Sequence, residues 1–525
     1  MTGRTRQSKT SPARSSLGMV TTPHWAATEA GTRVLEQGGT AIEALVAAGA
    51  ALAVVYPHFC GLGGDGVWMI ADAQGDATAL LGIGQAAAAV QPDSPVPLRG
   101  AGSALTTACL VDSWETALRM SAERWGAALS LDRLLADAIR LAEDGFPVSP
   151  SQTFWHDFRA AEQADWPGFS ALFARDGLQR QSALAQTLRS IAADGARSFY
   201  EGALAEDIAA DLSEVGAPVS AADLAATRTQ IARPLSLPYR DLTLLAPPPP
   251  TQGVTTLGIM GVLSGLDMTG TSADSAAFYH AVVEAVKQAF LDRHRIADPA
   301  FAPDVSADLL DRARLAAKTR AINPALALPW PHRHQSGDTA LLAAVDREGR
   351  AASLLQSLYF DWGSGVVGRR TGILWQNRGA AFSVDPASPN CLAPGKRPFY
   401  TLNPGLALKE GRPCLAYGTQ GADGQPQTLS LLLSLLIDHG LDPLAALSAP
   451  RFLLGRTFSD LADSLKIEES LSEATREALR DLGHSIAPIP AFSPLGGQAG
   501  IIRIHADGLI EAAHDPRSDG GAIGL

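Results

Sequence analysis

Two hydroxyl residues, Thr339 and Ser357, flank the turn sequence Asp346-Arg-Glu-Gly349. The segments on either side, Thr339-Ala-Leu-Leu-Ala-Ala-Val345 and Arg350-Ala-Ala-Ser-Leu-Leu-Gln-Ser357, read as the two strands of a hairpin. With residues 346–349 as its loop, Val345 faces Arg350. Counting back along the ladder sets Thr339 opposite Gln356 and beside Ser357. The open end of the hairpin then holds two hydroxyls close together. An internal threonine is a weak nucleophile, because its hydroxyl needs a nearby base to take its proton. A chain cut before Thr339 supplies that base itself, since an α-amine has a pKa of about 8 and is partly neutral at pH 7. Residue types alone leave Thr339 as the first residue of a strand.

Other groupings offer less. The chain has no HExxH, no GxSxG in a strand–turn–helix setting and no GxxxxGK[ST]. Gly61-Leu-Gly-Gly-Asp-Gly66 resembles a loose dinucleotide loop, but it precedes a strand instead of opening a helix. The 11 histidines are dispersed, and His332 and His334 read as solvated loop residues. No metal ligand set and no cofactor site is expected. The four cysteines, Cys60, Cys109, Cys391 and Cys414, form no CxxC pair and read as free thiols. A net charge of -12 with no basic stripe argues against a nucleic-acid partner.

These residues must be positioned by a large fold. The 525 residues are 46% hydrophobic and 18% charged, an ordinary globular composition. Residues 1–17 are basic and rich in Ser and Thr, lack the apolar core of a secretory signal, and are expected to form a disordered tail. Met1 or Met19 could start translation. The most apolar stretch, residues 41–56, is too short and too Ala-rich for a membrane span, so a cytoplasmic protein is expected. Helical spacing runs from Pro23 to Val55 with a break at Gly38-Gly39, and residues 104–232 are mostly helical. Pro247 to Pro250 mark an extended connector, followed by helices over residues 255–265 and 275–296. Residues 298–338 hold scattered prolines and the polar run Gln335-Ser-Gly-Asp338, a long surface segment of the kind that is often functional or processed. Strands continue to Thr401, and residues 427–448 are helical. Alternating helix and sheet blocks predict stacked α and β layers in one domain.

A series of motifs, in order, resembles the γ-glutamyltranspeptidase family. It opens with Gly18-Met-Val20, Gly38-Gly-Thr-Ala-Ile-Glu-Ala44, Tyr56-Pro-His58 and Gly61-Leu-Gly-Gly64. Leu141-Ala-Glu-Asp-Gly-Phe-Pro-Val-Ser149, Phe199-Tyr-Glu-Gly202, Pro248-Pro-Pro-Thr-Gln-Gly253 and Gly337-Asp-Thr339 follow, then Pro394-Gly-Lys-Arg-Pro398 and Gly424-Gln-Pro-Gln427. The resemblance implies a four-layer αββα N-terminal-nucleophile fold. It implies a precursor that cleaves itself between Asp338 and Thr339 into a large fragment, 18–338, and a small fragment, 339–525. The two would stay together as a heterodimer, and a dimer of such heterodimers fits the family. It makes Thr339 the nucleophile and Ser357 its hydroxyl partner. Gly421 and Ala422 supply the backbone N–H groups of an oxyanion hole, a device typically worth a few kcal/mol.

The departures from the family pattern concern the substrate. The carboxylate that holds a glutamyl α-amino group is replaced by Ala381, and the neighbouring amide by Arg378. Leu81-Gly-Ile-Gly-Gln85 carries no arginine for an α-carboxylate. The family's paired serines become Tyr400 and Thr401, and its asparagine becomes Tyr359. A guanidinium suits a bidentate carboxylate contact, although a structural salt bridge is the other reading of Arg378. The substitutions resemble the acylase and amidohydrolase branches, and a small anionic amide such as oxamate, hydrolysed to oxalate and ammonia, is the expected substrate. A γ-glutamyl hydrolase or transferase, a dicarboxylyl-amide acylase and an uncleaved binding protein are the alternatives.

Overall fold

The computed structural model describes residues 4–91, 94–330, 338–456 and 462–525, with Asp338 described for its backbone alone. His332, His334 and the polar run before Asp338 lie outside the described residues.

Two antiparallel sheets stack face to face. The first has eight strands in the order Thr5–Arg6, Gly521–Gly524, Met19–Thr22, Asp338–Val345 (β2), Ala351–Tyr359 (β3), Asp65–Ala71 (β1), Ala77–Gly82 and Gln230–Ala232. The second has seven: Ala13–Ser15, Ile510–His514, Ala499–Ile504, Arg412–Thr419 (β4), Gly405–Lys409, Leu242–Ala246 and Leu235–Tyr239. Side chains alternate across each strand. In β2, Ala340, Leu342 and Ala344 pack into a core under one helix layer. Leu341, Ala343 and Val345 point the other way, into the clusters between the sheets. Leu415 and Tyr417 of β4 face the second helix layer, and Ala416 faces the first sheet. The result is the expected αββα stack.

Local sequence explains the outer layers. The helix Ala41–Val55 starts at a capping box, with Thr40 Oγ1 accepting from Glu43 N–H and the Glu43 carboxylate accepting from Thr40 N–H. All fifteen of its residues are buried, as a helix apolar on every side must be. It is therefore a core helix of the first layer, and among the described residues no helix is long and apolar enough to cross a membrane. The expected helical pair after the Pro-rich connector appears as Gly253–Leu263 and Ala276–Phe290 in the second layer.

Two expectations need correction. Residues of the supposed disordered tail form strands: Thr5–Arg6 pairs with Gly521–Gly524, and Ala13–Ser15 pairs with Ile510–His514. Partners about 500 residues away stabilise strands that local sequence does not announce. The hairpin register is also displaced by one residue. Val345 pairs with Ala351, not with Arg350, because Arg350 belongs to the turn. Asp346 N–H donates to the Arg350 carbonyl at 3.1 Å, while the Asp346 carboxylate accepts from Glu348 N–H, Arg350 N–H and Ala41 N–H, each at 3.1 Å. Ala340 is thus opposite Gln356, and the ladder is irregular between Asp338 and Ala340, where Asp338 pairs with Tyr359.

Candidate active site

One step beyond Ala340 and Gln356 this register sets Thr339 against Ser357, just before the irregularity. Both are buried on the face between the sheets, and the Thr339 hydroxyl donates to Ser357 Oγ at 3.3 Å. Ser357 Oγ also accepts from Tyr359 N–H at 2.8 Å. Gln425 Nε2, at the start of the helix Gln425–Ile437, donates to Thr339 Oγ1 at 3.3 Å. The threonine hydroxyl is therefore held as a donor to one side chain and an acceptor from another. Tyr359 closes the bulge with φ 83°, a left-handed conformation that is rare for a bulky residue and that clusters at functional sites.

Gly421 and Ala422 lie at the end of β4, where the chain turns into that same helix. Both have positive φ, 118° and 42°, so Ala422 adopts a left-handed backbone that glycine takes more readily. The backbone bond of this turn runs from Gly424 N–H to the Gly421 carbonyl at 2.6 Å and leaves the N–H groups of Gly421 and Ala422 out of it. They precede a helix N-terminus, where backbone partial charge favours an anion. Gln252 ties the turn down: its Nε2 donates to the Ala422 carbonyl at 2.6 Å and to the Thr401 carbonyl at 2.8 Å.

Arg378 sits in an aromatic cage. Its guanidinium carbon lies 4.0 Å from the Tyr359 ring centre and 3.9 Å from that of Tyr400. Nη1 donates to Thr401 Oγ1 at 3.1 Å and Nη2 to the Phe399 carbonyl, while Nε is buried without a partner. The residue is fully buried, and burial holds its pKa below the usual arginine value. Among the described residues no carboxylate reaches it within salt-bridge distance, so the structural salt-bridge reading has no support. A buried cation without a counter-ion is costly, and a bound carboxylate would relieve that cost. Nearby, Ala381 packs with the Tyr359–Phe360 cluster. The segment that lacks the family's arginine has no room for one at Gly84, where a Cβ would lie 1.7 Å from the Thr107 carbonyl oxygen.

Sequence reasoning gave no role to four residues that complete this region. Gln252, Gln425 and Asp65 all lie within or next to the motifs that carried the resemblance, which was the only available signal. Gln420 lies outside them. Asp65 is directly opposite Ser357 on β1. Its carboxylate accepts from the Tyr400 hydroxyl at 2.7 Å, from Gly84 N–H at 3.0 Å and from Cys109 N–H at 2.8 Å. Burial pushes its pKa up to about 6, against the pull of these hydrogen bonds.

One grouping in the described residues offers metal-ligand types: His280, Glu284 and His484, with ligand atoms within 4.8 Å of one another. It belongs to the second helix layer, not to the Thr339 region. Glu284 is already engaged by Lys287 Nζ at 2.7 Å and by Leu328 N–H at 3.0 Å. His280 Nδ1 and His484 Nε2 are hydrogen-bonded at 2.8 Å. An ammonium in place against the carboxylate makes this a satisfied interior network.

Comparison with known proteins agrees with this architecture. The family model described as Gamma-glutamyltranspeptidase matches residues 27–525. The chain is 44% identical over 522 residues to the oxamate amidohydrolase proenzyme of Klebsiella pneumoniae, covering 97% of this chain and 98% of the relative. It is 39% identical over 521 residues to the glutathione hydrolase-like YwrD proenzyme of Bacillus subtilis, again covering 97% and 98%. The crystal structure of cephalosporin acylase from Bacillus halodurans superposes with a TM-score of 0.90 at 30% identity, covering 99% of this chain and 98% of that one. With the family model spanning nearly the whole chain, these relatives and the αββα stack lead to one conclusion: the chain belongs to the γ-glutamyltranspeptidase family of C–N bond hydrolases.

Proposed function

We propose that the chain is a self-processing amidohydrolase that uses Thr339 as an N-terminal nucleophile on small amides bearing a carboxylate, with oxamate as the favoured substrate. In the precursor the Thr339 hydroxyl attacks the Asp338 carbonyl carbon and the chain shifts from amide to ester. Water then hydrolyses the ester, leaving the Asp338 carboxylate and a free Thr339 amine. The products are a large fragment, 18–338 with its N-terminal strands, and a small fragment, 339–525.

In the mature enzyme the α-amine takes the hydroxyl proton as Oγ1 attacks the substrate carbonyl. Ser357 and Gln425 orient the hydroxyl, and the Gly421 and Ala422 N–H groups hold the oxyanion. The C–N bond breaks as the amine returns the proton to nitrogen, which leaves as ammonia. Water, deprotonated in turn, hydrolyses the acyl ester and restores Thr339.

The observation that carries this reading is the contact of two buried hydroxyls at 3.3 Å beside the strand bulge, next to the Tyr359 ring that cages Arg378. Among the described residues Arg378 has no acidic partner within salt-bridge distance, and its guanidinium retains donors for a substrate carboxylate. A 44% identical relative named for oxamate supports the choice of substrate, and the relative named as glutathione hydrolase-like keeps γ-glutamyl compounds as the second reading.

A denaturing gel and an assay panel test both parts. Purified protein should give two bands with a fragment beginning at Thr339; a lone band near 54.8 kDa after long incubation would sink the nucleophile. Assays on oxamate, glutaryl amides and a γ-glutamyl anilide should favour oxamate. Preference for the γ-glutamyl compound would replace the substrate and leave the nucleophile standing.

A further inference from the structure

Beyond the groups already given roles, Gln420 is a buried side chain whose polar atoms have no partner among the described residues. The row of β2 residues that faces the second sheet is Val345, Ala343, Leu341 and then Thr339. Facing it from β4 are Ala416, which shares an inter-sheet cluster with Ala343, and Gly418, whose Cβ would lie 2.5 Å from Leu341 Cδ1. The next residue on that face of β4 is Gln420. Its N–H donates to the Gln498 carbonyl at 3.0 Å, which prolongs the ladder between β4 and the strand Ala499–Ile504 beyond Thr419 and Ala499. The two rows therefore run side by side from Ala343 and Ala416, through Leu341 and Gly418, to Thr339 and Gln420. Gln420 is also the residue before Gly421, so it adjoins the turn assigned to the oxyanion.

Gln420 is 1% exposed, and neither its Oε1 nor its Nε2 has a hydrogen-bond partner among the described residues. Buried polar atoms are nearly always paired, and each orphan calls for an explanation. Two orphans on one side chain, next to the oxyanion turn and at the end of the row that runs beside the Thr339 row, point to a ligand. Gln425 adds to the pattern: its Nε2 is on Thr339 Oγ1 while its Oε1 is unpartnered.

A carboxamide offers an acceptor and a donor pair in one plane. Its complement is another unsubstituted carboxamide, which presents N–H to Oε1 and oxygen to Nε2. We infer that Gln420 is a specificity residue that recognises the –NH2 of a primary amide substrate and holds that nitrogen as it leaves as ammonia. This rests on Thr339 being the nucleophile and extends it to the leaving-group side: the enzyme takes primary amides in preference to N-substituted ones.

The test compares oxamate with N-methyloxamate in the wild-type protein and in Gln420→Met, which keeps length and removes both hydrogen-bonding functions. N-methyloxamate keeps one N–H but carries a methyl in place of the N–H beside the carbonyl oxygen. A site built to bind that N–H discriminates strongly against a ligand lacking it there. The ratio of kcat/KM values, oxamate over N-methyloxamate, should fall at least about tenfold in the variant, chiefly through loss of oxamate turnover. Self-cleavage should still go to completion on a gel. The melting temperature should hold or rise, because an unpaired buried amide has been removed. Gln420→Leu should give the same change of ratio and serves if Gln420→Met does not fold. An unchanged ratio, including an equal loss on both substrates, overturns the inference and would assign Gln420 to the Thr339 amine instead. A cleaved wild-type protein inactive on every primary amide overturns it together with the oxamate reading.

Discussion

At the scale of single residues, the site holds buried polar atoms, on Arg378, Gln420 and Gln425, that have no partner among the described residues. Arg378 shows this most clearly, and a lysine cannot stand in for it. The guanidinium lies 4.0 Å from the Tyr359 ring centre and 3.9 Å from that of Tyr400 and presents several donors in a fixed plane, whereas an ammonium is a point charge on a flexible stem. Arg378→Lys should raise KM for oxamate by roughly 10- to 100-fold, the equivalent of one charge-assisted hydrogen bond, and leave self-cleavage complete; an unchanged KM would remove Arg378 from the binding site. Asp65 provides a pH test. Its folded pKa, about 6, lies above the ordinary 3.8, so folding favours the protonated carboxyl. That contribution is complete below about pH 3.8 and is lost as the pH rises through 6. Asp65→Asn, always neutral, should therefore gain stability relative to wild type between pH 4 and pH 7, by up to ~3 kcal/mol for a two-unit shift. Chemical denaturation at the two pH values reads the difference, and a pH-independent difference would refute it. Thr339, Ser357, Gly421, Ala422 and Arg378 could be picked out from the sequence because each matches or visibly breaks a motif. Asp65, Gln252, Gln420 and Gln425 could not, because their importance comes from which neighbours they lack or face across the sheets.

At the scale of elements, the β2–β3 hairpin sets the spacing of the two hydroxyls. Its strands were legible in the short apolar runs on either side of the turn sequence Asp346-Arg-Glu-Gly349. Its register was not, because the turn takes in Arg350 and has Gly349 at φ 77°. The observed register, continued one step past Ala340 and Gln356, sets Thr339 against Ser357, and the bulge begins beyond that pair. The one-residue correction matters, since side chains alternate and a slip would turn Thr339 toward the helix layer. Asp346 fixes the register by accepting three backbone N–H groups, two in the turn and one at the start of the helix Ala41–Val55. Asp346→Ala leaves these donors without their acceptor in a buried corner and should cost about 2–3 kcal/mol. Asp346→Asn keeps one acceptor oxygen and should cost less. Urea unfolding of the two variants should show that order, and a neutral alanine substitution would show that the turn does not depend on this carboxylate.

At the scale of the whole molecule, the proposed cut would divide a chain whose sheets are woven from both sides of it. In the first sheet β2 pairs with Met19–Thr22 and β3 pairs with β1, so the two central strands from the small fragment are gripped on each flank by strands of the large one. In the second sheet Leu242–Ala246 pairs with Gly405–Lys409, and Ala13–Ser15 with Ile510–His514. The layers were legible from alternating helix and strand blocks, but this interleaving was not, since sequence pattern does not say which distant strand becomes a neighbour. It has a consequence for the mature enzyme. Each shared ladder satisfies backbone donors and acceptors that a lone fragment would leave open along a buried edge, and the core between the sheets takes side chains from both fragments. Cleavage at Asp338–Thr339 should therefore leave the fragments as one folding unit. After complete processing they should elute together in size-exclusion chromatography at any salt concentration, because strand pairing and apolar burial hold them and neither is screened by ions. They should part only in strong denaturant, within the same transition that unfolds the sheets. A small fragment eluting alone from native buffer would show that the shared ladders do not hold the halves together.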